Sequence, residues 1–220
     1  MTTKSIIILG SSGTGKSTSM RNLSPEDTLL IQSIPKQLPF KGAGKWKIYN
    51  KETCPTGNIV VTDNADIICN VMKSTKRKVI VIDDVQFIMS NRLMEKADQK
   101  GNSIFEEYRQ IARDIYKIMM TANSLDEDVF VFFMWHPDLD DDNNVIVKTA
   151  GKQTEKVNTP QSFFSFLLRA EVSVRGEDRE YTFRTQTDGR DPAKSPDGMF
   201  DYRIPNDLDY VIKKIKEYYS

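Results

Sequence analysis

Short runs of consecutive apolar residues, separated by helix-periodic segments, dominate the first two thirds of this chain. Residues 5–9, 28–32, 59–61, 78–82 and 129–134 are each rich in Ile, Val, Leu and Phe, with no polar alternation. Such runs are the mark of strands buried on both faces. Between them, Ile67, Ile68, Val71 and Met72 share one side of a helix over residues 63–72. Ile104, Tyr108, Ile111, Ile115, Ile118 and Ala122 recur at helical spacing, and Ser103 with Glu106 fits a capping box at that helix's start. Strands alternating with helices predict an α/β class with a mainly parallel sheet flanked by helices. Beyond residue 137 the texture changes. The acidic stretch 138–144 reads as an exposed, mobile loop, and the apolar stretch 162–168 as a short helix. Residues 172–175 and 181–185 alternate around Gly176, the pattern of a β-hairpin, and residues 207–219 close the chain as an amphipathic helix. With no repeat or linker in view, residues 1–220 form one domain.

The first apolar run leads directly into Gly10-Ser11-Ser12-Gly13-Thr14-Gly15-Lys16-Ser17. The stretch meets every fixed position of the G-x-x-x-x-G-K-[ST] phosphate-binding pattern, between a strand and the start of a helix over about residues 16–23. Gly10, Gly13 and Gly15 permit the tight turn that aims successive N–H groups at phosphate oxygens. The helix start adds its positive dipole end. Lys16 is the residue for the β- and γ-phosphates, Ser17 for Mg²⁺, and Thr18 follows at the start of the helix. These residues imply that the chain binds a nucleoside triphosphate.

A second set of candidates sits at strand ends. The run 79–82 ends in Asp83 and Asp84, and parallel strands deliver their carboxyl ends to the ligand crevice. Asp83 fits the metal role opposite Ser17. Asp84 is a candidate to orient or deprotonate the water that attacks the γ-phosphate. His136, the sole histidine, follows the run 129–134. It reads either as a γ-phosphate sensor, if that strand lies between the other two, or as a surface residue before Pro137. Trp135 reads as packing.

Composition narrows the partners. Lys+Arg and Asp+Glu are both 31, a formal net charge of zero, which excludes a globally basic nucleic-acid binder but not a local patch. Cys54 and Cys69 have no metal-ligand spacing and read as thiols of a reducing compartment. No apolar run has membrane-spanning length, and strand-forming residues begin at once after Met1-Thr2-Thr3-Lys4, leaving no room for a signal peptide. A cytoplasmic protein without membrane contact is the expectation.

Lys148, Lys152 and Lys156 punctuate a glycine-containing segment after the acidic stretch. They suit a nucleic-acid channel, a cation reaching a neighbouring subunit's γ-phosphate, or a solvated charge run. The loop 36–47 adds lysines interleaved with Phe40 and Trp46, which either stack bases or pin the loop to the core.

Taken together, residues 10–17, Pro35-Lys36-Gln37-Leu38-Pro39-Phe40-Lys41-Gly42, residues 79–84, the strand ending at His136 and Lys148-Thr149-Ala150-Gly151-Lys152 resemble the phage-encoded, RecA-like AAA ATPases. So do Ala193-Lys194-Ser195-Pro196-Asp197-Gly198-Met199-Phe200 and Ile204-Pro205-Asn206-Asp207-Leu208. That group includes single-strand DNA annealing and recombination proteins. The resemblance implies a RecA-like core with ATP and Mg²⁺, a homo-oligomer with nucleotide near subunit interfaces, single-stranded DNA as partner, and phage or host recombination and replication proteins nearby. It carries Lys16, Ser17 and Asp83 onto the nucleotide motifs, His136 onto the sensor, and Lys152 or Lys148 onto a finger from a neighbour. One departure stands out: RecA-type ATPases carry a catalytic Glu after the second strand, where this chain has Gln32-Ser33-Ile34. Either Asp84 substitutes or hydrolysis is slow. The competing readings are a nucleotide-switched assembly or loading factor and a small-molecule kinase. The kinase ranks lower because no Arg lies between Pro137 and Leu168, where an arginine-rich lid belongs.

Overall fold

A computed structural model describes residues 4–96, 98, 102–150 and 159–220. Its centre is the set of apolar runs. Strands β1 (Lys4–Leu9), β2 (Thr28–Gln32), β3 (Ile59–Val61), β4 (Val79–Asp83) and β5 (Phe130–Trp135) follow them closely. A further strand, β8 (Phe166–Arg175), pairs with β9 (Asp178–Arg184) as the expected hairpin, and β10 (Arg203–Pro205) adds to its edge. Together they form one eight-stranded sheet in the order β10-β9-β8-β1-β5-β4-β2-β3. The pairs from β8 through β3 are all parallel, and only β9 runs against the others, antiparallel to both β8 and β10. This is the expected α/β architecture of a mainly parallel sheet flanked by helices, with β5 inserted between the phosphate-loop strand β1 and the acidic strand β4.

Successive residues of a strand face opposite sides of the sheet, so each buried strand feeds two cores. On one face, Ile7, Ile31, Ile82 and Phe133 pack against α1 (Ala65–Ser74), α2 (Gln86–Glu95) and α3 (Asn102–Asn123) through Ile68, Met89 and Ile115. On the other, Ile8, Val81, Phe132 and Leu168 meet Met20, Trp46 and the apolar stripe Leu208, Val211, Ile212 and Ile215 of α4 (Leu208–Tyr219). Asn64 caps α1, its side-chain oxygen accepting from the N–H of Asp66 at 2.9 Å and Ile67 at 3.1 Å. Asp207 does the same for α4 through Asp209 N–H.

Three expectations need correction. The helix expected after the phosphate loop is a six-residue 3-10 segment, Ser17–Asn22. The 162–168 stretch is a 3-10 turn, Pro160–Phe163, followed by β8, because Phe166 to Arg169 pair in register with Ile6 to Leu9 and bury there as strand. The acidic 138–144 stretch is the turn of a small hairpin, β6 (Pro137–Leu139) with β7 (Val145–Val147). Asp140 nucleates that turn: its Oδ1 accepts from the N–H of Asp142 at 2.9 Å and Asn144 at 2.7 Å, while Asn143 takes a φ of 62°. No described helix is long and apolar enough to cross a membrane.

The β8–β9 hairpin is locked to the following turns by Arg184, whose buried guanidinium donates to Glu171 at 2.8 Å and pairs with the buried carboxylate of Asp191. Arg184→Ala leaves Asp191 buried without its counter-charge, and is expected to cost about 3–5 kcal/mol. A urea titration reads this as a lowered midpoint at unchanged slope.

Candidate functional site

The carboxyl ends of β1, β5 and β4 meet at one edge of the sheet, and their side chains converge on a cleft of about 830 Å³. The phosphate loop, residues 10–17, forms its floor. Gly13 and Gly15 take φ of 81° and 85°, a region that side chains rarely adopt. Gly10 is required for another reason: a Cβ there would lie 2.5 Å from Thr14 Oγ1 and 2.9 Å from Ala170 Cβ. The loop is braced from behind. Asn206 donates through Nδ2 to Thr14 O at 3.4 Å, and Arg21 donates to Asn206 O at 2.6 Å.

Lys16 curls back over the loop, its Nζ donating to Gly10 O at 2.6 Å and Ser11 O at 3.1 Å. It is 6% exposed, and burial brings its pKa down to about 8 although Asp84 and Asp83 pull the other way. Ser17 Oγ donates toward both carboxylate oxygens of Asp83, at 3.3 and 3.4 Å. These oxygens suit Mg²⁺, a hard cation that takes a few protein ligands and completes its shell with water and phosphate. Asp83 is 1% exposed, and that burial raises its pKa against the opposing pull of Lys36.

Asp84 holds a φ of 57°, one of two described non-glycine residues in the left-handed region, at a cost of about 1–2 kcal/mol. That turn swings its carboxylate into the cleft. Gln86 Nε2 donates to it at 3.3 Å, Lys36 binds it, and His136 Nε2 stands 3.4 Å away. Burial pushes the Asp84 carboxyl up, but the contacts with His136, Lys36 and Gln86 outweigh it and hold the group well below the usual carboxylate range. The same contacts fix the direction of the carboxylate within the cleft. His136 Nε2 is also 3.3 Å from Lys16 Nζ. With Nε2 bare the ring accepts from Lys16; with Nε2 protonated it donates to Asp84. One tautomer shift exchanges its partner.

Of the residues expected from sequence, Gly10, Ser11, Ser12, Gly13, Thr14, Gly15, Lys16, Ser17 and Thr18 lie together on the loop, with Asp83, Asp84 and His136 around them. Lys148 is exposed but tethered to the site by its backbone, its N–H donating to His136 O at 3.0 Å and its carbonyl accepting from Trp135 Nε1 at 2.7 Å. Lys152 and Lys156 lie outside the described residues. Trp135 is fully buried against Phe133, and Trp46 and Phe40 contact edge to face and pack on the core, the pinning role rather than base stacking. Sequence reasoning missed Arg21, Lys36, Tyr181 and Asn206 as lining residues. Lys36 left a trace as one member of a basic loop, and Asn206 as part of the segment Ile204-Pro205-Asn206-Asp207-Leu208.

No family model and no curated protein sequence matches the chain. Among solved structures, it is similar to the flagellar accessory protein FlaH from Methanocaldococcus jannaschii, at 14% identity and a TM-score of 0.45, covering 91% of this chain and 83% of that one. It is also similar to a KaiC-like protein from the archaeon Pyrococcus horikoshii, at 13% identity and a TM-score of 0.45, covering 82% and 77%.

Two measurements test the loop. Gly15→Ala forces a side chain into the left-handed region and to 3.0 Å from the Tyr181 ring. It is expected to weaken binding of a fluorescent ATP analogue at least about tenfold, a loss of roughly 1.4 kcal/mol. Lys16 carries a charge that the folded state holds less readily than the unfolded chain. Between about pH 8 and its ordinary value of 10.5 the unfolded chain binds a proton that the folded one lacks, so folding stability rises with pH across that window. Lys16→Met should therefore raise the folding stability of the nucleotide-free protein at pH 7 by about 1–3 kcal/mol, read as a higher denaturant midpoint. It should also remove this rise above pH 8.

Proposed function

We propose that the protein is a Mg²⁺-dependent ATPase. The observation that carries this reading is the convergence of Lys16, Ser17, Asp83, Asp84 and His136 on one cleft above a left-handed glycine loop. In hydrolysis, water oxygen bonds to the γ-phosphorus while the bond to the β–γ bridging oxygen breaks, giving ADP and phosphate. Such a transfer passes through a loose transition state, so positioning and charge matter more than a strong base. Lys16 and the loop N–H groups hold the β- and γ-phosphates, and Asp84 and His136 orient the water. Ser17 and Asp83 hold Mg²⁺, which when bound neutralises phosphate charge.

The finer proposal is that this ATPase acts on single-stranded DNA in phage-type recombination, annealing or repair, as a homo-oligomer. Its supports are the resemblance to phage-encoded RecA-like AAA ATPases and the backbone tether between His136 and the exposed Lys148. A change at the γ-phosphate that moves His136 moves the root of the lysine segment with it. The second reading is a nucleotide-switched assembly factor with little turnover. It is favoured by Gln32 and Ser33, both buried and uncharged, where a catalytic Glu is expected.

ATP hydrolysis measured with and without single-stranded DNA separates the two, with Lys16→Ala as the blank. Stimulation by DNA, reduced at least about threefold in Lys148→Ala at unchanged ATP affinity, is the expected result. Turnover indifferent to DNA, with a nucleotide-dependent change in mass, would instead establish the assembly factor.

A further inference from the structure

Lys36 is the one cation of the loop after β2 that turns inward. Its Nζ is 3.0 Å from Asp83 Oδ2 and also binds Asp84 Oδ2. It therefore stands at the carboxylate wall of the cleft, whereas Lys16 lies over the phosphate loop. Its backbone is fixed as well as its tip: Gln32 Nε2 donates to Lys36 O at 3.2 Å. Ser33 Oγ donates to Asp83 O at 3.4 Å, so the end of β2 is bonded to the end of β4. Further along, Phe40 and Trp46 meet at 6.1 Å between ring centroids and pack on the sheet, anchoring the loop's far end.

We propose that Lys36 is a second phosphate-binding lysine, specific for the terminal phosphate of the nucleotide, through which the cleft distinguishes ATP from ADP. The proposal rests on the reading of the cleft as a nucleoside triphosphate site. Without nucleotide, Lys36 neutralises two carboxylates that nothing else in the cleft pairs so closely. A γ-phosphate held by Lys16 brings dianionic oxygens to the space between the loop and Asp84, within reach of an ammonium already there. A diphosphate ends one phosphate short of that space. Lys36 thus exchanges a carboxylate partner for a phosphate only when the third phosphate is present, and charge-assisted bonds of this kind are among the strongest a side chain makes. The loop after β2 thus supplies a cation to the terminal phosphate.

Equilibrium binding of ADP and of a non-hydrolysable ATP analogue, each with Mg²⁺, tests this without any reliance on turnover. Lys36→Ala is expected to weaken the ATP analogue about tenfold while changing ADP affinity less than about twofold. Lys36→Arg should restore much of the preference, because the charge is kept. If Lys36→Ala does not fold once its carboxylates are stripped of their partner, Lys36→Gln, which still hydrogen-bonds them, is read in the same way. An ATP-to-ADP ratio equal to that of the unmodified protein overturns the assignment and leaves Lys36 a structural ion-pair partner. An unmodified protein that binds neither nucleotide overturns the reading of the cleft itself, and the proposal with it.

Discussion

Parallel pairing of β1, β5 and β4 is the constraint on which the site depends. Parallel strands in one register end at one edge, so Leu9 stands beside Trp135, Ile82 beside Phe133, and Gln32 beside Asp83. Gly10, His136 and Asp84 are each the next residue along, and the phosphate loop that carries Lys16 and Ser17 starts from the same edge. Two backbone bonds across the edge, from Gly10 N–H to Trp135 O at 3.0 Å and from Val85 N–H to Met134 O at 3.1 Å, extend the pairing past the strands into the loops. The two apolar faces then immobilise the sheet, which is why a serine meets an aspartate from a strand more than sixty residues away.

Within the cleft the balance is electrostatic. Two carboxylates, two ammonium groups and an imidazole are gathered at one edge of the sheet, with Lys16 and Asp83 buried and Lys36 and His136 partly open to solvent. The cost is visible in Lys16, which burial makes easier to deprotonate, and in Asp84, held in a strained backbone conformation. A site assembled this way is preorganised for a charged ligand and correspondingly expensive without one. The groups that hold Asp84 in place are also the groups that depress its proton affinity.

Two segments leave the cleft from the same edge of the sheet. From β5, His136 continues into the β6–β7 hairpin and returns at Lys148. From β2, the chain passes Gln32 and Lys36 before reaching the anchored Phe40–Trp46 pair. Both carry exposed lysines beyond the cleft.

The sequence by itself determined what is local. Continuous β-branched runs made β1, β2, β4 and β5 legible, because burial on both faces leaves no room for polar alternation. The phosphate loop was legible because its glycines answer to φ angles and close approaches within eight residues. What depends on partners distant in the chain was not. The stretch 162–168 is apolar enough for a helix and became strand only because the edge of β1 was open to Phe166 through Arg169. The helix expected at 16–23 shortened to a 3-10 segment. Lys36 read as one lysine of a loop that could hold nucleic acid until β2 and β4 paired and put two carboxylates beneath it, and Tyr181 and Asn206 reached the loop only through the β8–β9 hairpin and the turn before α4. Local geometry and burial pattern are written in neighbouring residues, whereas charge pairing across a cleft is decided by which strands become neighbours.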